Sequence, residues 1–131
     1  MEHFILPSLY PGNTSEKGRG VFTKTALPAD TVVESSPVIV MDAQARSLLD
    51  QTLLHDYIFE WQPDGQSLCC MALGYLSLYN HAYYSNCEYF MDYPSHTMSI
   101  KAVRDIEAGE ELTINYNGDW DDTAPVWFDA V

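Results

Sequence analysis

Three short segments contain residue types that could do chemistry. Gly18-Arg19-Gly20 sets two glycines around one residue just ahead of an apolar run. Without a Cβ the backbone there can turn sharply and approach a ligand, although a lone pair of this kind reads as a plain turn. Asn80-His81 lies inside an apolar stretch. A buried amide and imidazole need hydrogen-bond partners, and alone the pair reads as a satisfied core network rather than a ligand contact. Glu110 to Tyr116 alternates apolar and polar residues through Leu112, Ile114 and Tyr116. That pattern puts Tyr116 at the exit of a strand, where by itself it reads as core.

Metal and thiol chemistry find little footing. Cys69, Cys70 and Cys87 form no C-x-x-C pair and are odd in number, which speaks against a zinc cluster and a disulfide framework and for a reducing compartment. His3, His55 and His96 lack metal-ligand spacing, and Asp119, Asp121 and Asp122 do not match a calcium loop. No metal is expected, and Cys69-Cys70 reads as small apolar packing.

The elements that must position these residues are mostly strands. Val21 to Thr23, Thr31 to Glu34 and Val38 to Met41 read as short strands punctuated by Pro28, Asp30 and Pro37. Apolar residues at three- and four-residue steps predict one short helix from Asp42, as cap, to Leu54. Asp56 to Trp61 reads as an aromatic strand, Pro63-Asp64-Gly65 as a turn and Ser67 to Met71 as a returning strand. Gly74 to Tyr79 fits either a helical turn or a buried strand. Glu88 to Asp92, Thr97 to Val103 and Glu111 to Tyr116 complete the strands. Leu27 to Val33 and Ile106 to Leu112 echo one another as a turn followed by a strand, and two copies do not make a solenoid.

The 131 residues fit one compact domain, and 47% hydrophobic content with nine tyrosines is that of a globular chain. The formal charge of −13 would repel a phosphate backbone, so direct nucleic-acid binding is not expected; a basic partner is favoured instead, while the charge taken alone reads first as a means of solubility. Met1 to Pro7 has no basic n-region and only three consecutive apolar residues, Phe4 to Leu6. That is too few for a signal peptide or a membrane span, so a soluble intracellular protein, cytoplasmic or nuclear, is expected.

Taken in order, Gly18-x-Gly20-Val21-Phe22, Asn80-His81 followed by Asn86-Cys87, and Gly109-Glu110-Glu111-Leu112-Thr113-Ile114-Asn115-Tyr116 closely resemble the SET-domain protein lysine methyltransferases. Asp56-Tyr57-Ile58-Phe59 and Met71-Ala72-Leu73-Gly74-Tyr75 look most like the small stand-alone SET proteins of algal viruses. The resemblance runs from about residue 18 to 120 of a single domain spanning 1–131. It implies a mainly β fold of several small twisted sheets with one or two short helices, in which the C-terminal segment passes through a loop as a pseudoknot. It also implies S-adenosylmethionine held by Gly18, Arg19, Gly20, Asn80 and His81, with Ser77 and Leu78 adding backbone contacts. Tyr116 would be the principal catalytic tyrosine, assisted by Tyr57, and Tyr57, Tyr116 and Trp120 would line a lysine channel. The partner would be a lysine-containing basic protein or peptide such as a histone tail, and the viral-type relatives imply a homodimer.

Many family members carry a cysteine-rich zinc segment after the domain, and this sequence has no cysteine beyond Cys87. The acidic, aromatic stretch 121–131, with Trp127 and Phe128, would close the cofactor site together with Trp120 instead. Ser85 stands where the family often has proline, and Arg19 occupies a variable position. Two other readings stay open: a peptide-binding module that has lost catalysis, and a self-associating structural protein. The intact Asn80-His81 pair and Tyr116 speak against the first.

Overall fold

The computed structural model describes residues 2–126. Ten strands, β1 (Phe4–Ile5), β2 (Leu9–Asn13), β3 (Arg19–Thr23), β4 (Val32–Met41), β5 (Ile58–Trp61), β6 (Leu68–Ala72), β7 (Asn80–His81), β8 (Cys87–Asp92), β9 (Thr97–Ala102) and β10 (Glu111–Ile114), form two curled sheets. The larger runs β5-β6-β4-β9-β8 with β1 beside β4, and the smaller runs β2-β3-β10-β7. Between them the alternating residues of the strands bury Val21, Val33, Trp61, Met98, Ile100, Leu112 and Ile114, the pattern that the period of two predicts.

One expectation is corrected. The two strands separated at Pro37 are a single strand, β4, of ten residues. It pairs with β9 from Val32 to Pro37 and with β6 from Val38 to Met41. Proline has no N–H to give a ladder. It is tolerated because it stands where the strand changes partner, and its carbonyl accepts from Leu73 N at 3.1 Å. The predicted helix is also shorter than expected. α1 covers Ala43–Leu49, with Asp42 Oδ1 capping Ala45 N at 2.9 Å, and a separate 3-10 turn follows at Leu53–Asp56. The ambiguous stretch after Gly74 is a 3-10 turn, Leu76–Leu78. No helix of the described residues is long and apolar enough to cross a membrane.

The sequence echo has a structural meaning. Leu27 and Ile106 pair with each other, each N–H donating to the other's carbonyl at 2.8 Å. Asp30 N donates to Ala102 O at 2.8 Å and Gly109 N to Thr23 O at 2.7 Å, so the two turns lock together about a local two-fold. The second turn launches β10 between β3, antiparallel, and β7, parallel. Asn86, buried in the loop that follows β7, reaches the same strand. Its amide donates to Glu111 O at 2.8 Å and its Oδ1 accepts from Thr113 N at 2.8 Å. Asn115 donates to Tyr83 O at 3.0 Å. Residues 80–86 thus wrap the C-terminal strand, which is the pseudoknot.

Candidate functional site

The site lies where β7 and β10 end side by side. Thr113 pairs with Asn80 and Ile114 with His81, and since successive residues of a strand face opposite ways, the two polar residues point apart. Asn80 is half-buried, and its amide donates to Arg19 O at 3.1 Å and to Glu111 Oε2 at 2.8 Å. The glycine loop is thereby tied to the pair 60 residues later. A Cβ on Gly20 would overlap the Glu111 carboxylate and the Asn80 amide, so any other residue there would push that hydrogen-bonded pair aside. Gly18, at φ +71°, returns the chain. Thr14 closes that turn, with N and Oγ1 both donating to Gly18 O at 2.7 and 2.8 Å.

His81 is buried on the other side. Its Nδ1 accepts from Tyr116 N at 3.0 Å, which assigns the ring proton of the neutral form to Nε2. Burial, with Lys17 adding positive charge nearby, pushes its pKa below the ordinary imidazole value. The ring packs edge-on against Tyr83 and tilted against Tyr116, at centroid distances of 4.6 and 5.2 Å. The histidine therefore fixes the backbone of Tyr116. The Tyr116 hydroxyl donates to Tyr79 O at 2.7 Å. Burial pushes its pKa up to about 12, helped by Tyr57 and Asp56, so it remains a hydrogen-bond donor at neutral pH.

Two cavities meet at this tyrosine. One, of about 390 Å³, is lined by Lys17, Gly18, Arg19, Asp56, Tyr57, Ser77, Leu78, Asn80 and Tyr116. The other, of about 690 Å³, spreads over β5 and β8 and is lined by Arg46, His55, Asp56, Tyr57, Ile58, Phe59, Glu60, Gln62, Ser77, Tyr89, Met91, Tyr93, Tyr116 and Asn117. Asp56, Tyr57, Ser77 and Tyr116 belong to both. Ser77 Oγ lies 3.0 Å from both Tyr57 O and Ala72 O, which ties the turn bearing Ser77 and Leu78 to the segment bearing Tyr57.

Of the residues singled out in the sequence, Gly18, Arg19, Ser77, Leu78, Asn80, Tyr57 and Tyr116 all line the smaller cavity. Gly20 and His81 do not line it, although each follows a residue that does, Arg19 and Asn80. Trp120 lines neither cavity; its ring meets Tyr84 edge-on at 6.2 Å and its carbonyl accepts from Ser85 N at 3.2 Å. Trp127 and Phe128 lie outside the described residues. Sequence reasoning passed over Lys17, whose Nζ donates to His81 O at 3.0 Å, and Asp56. Their adjacency to Gly18 and Tyr57 was the available signal. Among the described residues no cluster of His, Cys, Asp or Glu could hold a metal ion.

The cavity suits a polar, charged small molecule. Its size falls in the range of roughly 300–1,000 Å³ usual for such sites, and Lys17 and Arg19 supply cations at a wall that also carries aromatic rings and exposed backbone.

Comparison with known proteins agrees with this geometry. The SET-domain family model matches residues 18–117. A histone-lysine N-methyltransferase of Schizosaccharomyces pombe, specific for lysine 37 of H3, is 35% identical over 105 residues, covering 79% of this chain and 69% of the relative. The crystal structure of a Plasmodium falciparum protein described as a histone methyltransferase superposes with a TM-score of 0.64 at 25% identity, over 88% of this chain and 98% of that one. All three segments that the sequence singled out fall within the matched span, and the chain belongs to the SET-domain family of protein lysine methyltransferases.

Proposed function

We propose that the chain transfers a methyl group from S-adenosylmethionine to the side-chain amine of a lysine in a basic protein, with a histone tail as its substrate class. The observation that carries this reading is the pair of cavities meeting at Tyr57, Ser77 and Tyr116. A two-sided site joined at aromatic side chains is what an in-line displacement needs, because nucleophile and leaving group must approach one carbon from opposite sides. In this reading Gly18, Arg19, Ser77, Leu78 and Asn80 would hold the cofactor in the smaller cavity, where Lys17 would supply a cation for its carboxylate. When bound, the cofactor supplies a methyl group activated by a sulfonium.

The remaining chemistry falls to the protein. Tyr57 and Tyr116 pack along the lysine methylenes, and their ring faces tolerate a cationic head. Only the neutral amine attacks, and neutralising a lysine of reference pKa about 10.4 near pH 7 costs roughly 4–5 kcal/mol. Burial in the junction lowers that cost by disfavouring the ammonium form. Tyr116, with its hydroxyl held by Tyr79 O and its N–H by His81, orients the amine. A net charge of −13 draws a basic tail toward the larger cavity, a steering effect that salt should weaken.

The test is calorimetric titration with S-adenosylmethionine, beside Asn80→Ala, followed by methyl transfer to core histones. Binding that is lost in the variant, with label on a histone lysine, supports the reading. No binding at millimolar cofactor would sink it. The initial rate should climb nearly tenfold per pH unit from pH 7 toward the pKa of the bound amine. A rate flat between pH 7 and 9 would show that amine deprotonation does not control the reaction.

A further inference from the structure

Among the described residues Glu34 is the one fully buried carboxylate, and methyl transfer gives it no task. It is 0% exposed, and a buried carboxylate persists only when its oxygens are well satisfied. Both are. Oε2 accepts from Tyr75 N and Ser36 Oγ, each at 2.8 Å, and Oε1 accepts from the Tyr79 hydroxyl at 2.9 Å. Tyr75 and Tyr79 are the two flanks of the 3-10 turn Leu76–Leu78. The carboxylate therefore grips the turn at both ends. Space for it is left by Gly74, at φ +64°, where a Cβ would overlap both the Glu34 carboxylate and the Ser36 hydroxyl.

What the turn carries gives this grip its meaning. Ser77 and Leu78 line the smaller cavity, and Tyr79 O accepts the Tyr116 hydroxyl at 2.7 Å. The next residue is Asn80. Burial raises the pKa of Glu34, while the three hydrogen bonds hold it down. A core that needed only packing would be served by an apolar side chain at this position, since buried ionised groups are seldom the cheapest source of stability.

We propose that Glu34 is a positioning residue for the methyl-transfer site: its carboxylate staples the 75–79 turn at both ends and thereby sets the Tyr79 carbonyl that orients the Tyr116 hydroxyl. The inference rests on the methyltransferase reading and extends it to a residue that touches neither cavity.

The test compares kcat and KM on core histones for the native protein, Tyr79→Phe, Glu34→Leu, Glu34→Gln and the double variant Tyr79→Phe with Glu34→Leu, all assayed well below their melting temperatures. Tyr79→Phe frees one end of the staple and should lower kcat roughly tenfold while leaving KM for the cofactor within about twofold, because sub-ångström misplacement acts on the reacting geometry rather than on binding. Glu34→Leu frees both ends and should lower kcat further. Glu34→Gln should stay within about threefold of native, since its amide can accept from Tyr75 N and donate to the Tyr79 oxygen.

The double variant should be no slower than Glu34→Leu alone, the mark of two groups acting through one path. A Tyr79→Phe protein that is folded, less heat-stable and unchanged in kcat would overturn the proposal, as would multiplicative losses in the double variant. If Glu34→Leu does not fold, Tyr79→Phe against Glu34→Gln decides by the same criteria. Failure of the native protein to transfer any methyl group would instead defeat the methyltransferase reading itself.

Discussion

The turn at 27–30 and the turn at 106–109 are built alike and lead to different ends. In each, a buried aliphatic residue bonds to its counterpart, Leu27 to Ile106, and three residues later the chain takes a left-handed step, at Asp30 (φ 69°) and at Gly109 (φ 85°). Each then enters a strand. The first enters β4, which runs ten residues through the larger sheet. The second enters β10, four residues held between β3 and β7 and ending just before Tyr116. The turn is therefore a generic device. What sets the second copy apart is its neighbours, above all Asn86, whose side chain bonds to β10.

The largest effect should come from removing what is unique to the second copy. Asn86→Ala leaves Thr113 N–H and Glu111 C=O without their buried partner, and two such losses should cost about 4 kcal/mol. Urea unfolding measures this. A loss under 1 kcal/mol would mean that β3 and β7 suffice to hold the strand and that the two copies differ less than their surroundings suggest.

Next comes the contact that the copies share. Leu27 is 6% and Ile106 1% exposed, and either one replaced by alanine should cost about 3 kcal/mol from lost burial and the cavity left behind. The two losses should be alike, and the double variant should lose less than their sum because each residue packs in the hole the other would leave. A strongly unequal pair would break the symmetry between the copies and show that one of them carries more of the stability.

The comparison also explains what could be read without coordinates. The echo itself, the strands of β3, β8, β9 and β10, and the turn at Pro63 all announce themselves through local alternation and turn residues. The join across Pro37 does not, since the tolerance of a proline depends on a change of partner 30 to 60 residues away. The site divides in the same way. Gly18, Asn80, Tyr57 and Tyr116 were singled out from the family resemblance of the segments that hold them, and all four line the smaller cavity. Glu34 was not singled out, because in the sequence it is only the last residue of the strand read from Thr31 to Glu34. Only the arrival of Tyr75 and Tyr79 from 40 residues downstream makes that strand end an interior. Trp120, expected to line a lysine channel, has its ring against Tyr84 and lines neither of the two cavities.

The smallest effect separates the two turns at their left-handed residues. Gly109 adopts its positive φ with nothing within 4 Å of where a Cβ would sit, so Gly109→Ala is opposed by backbone conformation alone and should cost about 1 kcal/mol. Asp30 already bears that cost. Asp30→Gly relieves it but restores freedom to the unfolded chain and gives up a 3.9 Å contact with Lys101, at an exposed site where such pairs contribute little. The opposing changes should nearly cancel, leaving a net shift within about 0.5 kcal/mol. Thermal or urea unfolding of the two variants side by side reads the difference directly. If Gly109→Ala were neutral, or Asp30→Gly as costly as Gly109→Ala, the two turns would not share one backbone geometry, and the echo would be a resemblance of sequence alone.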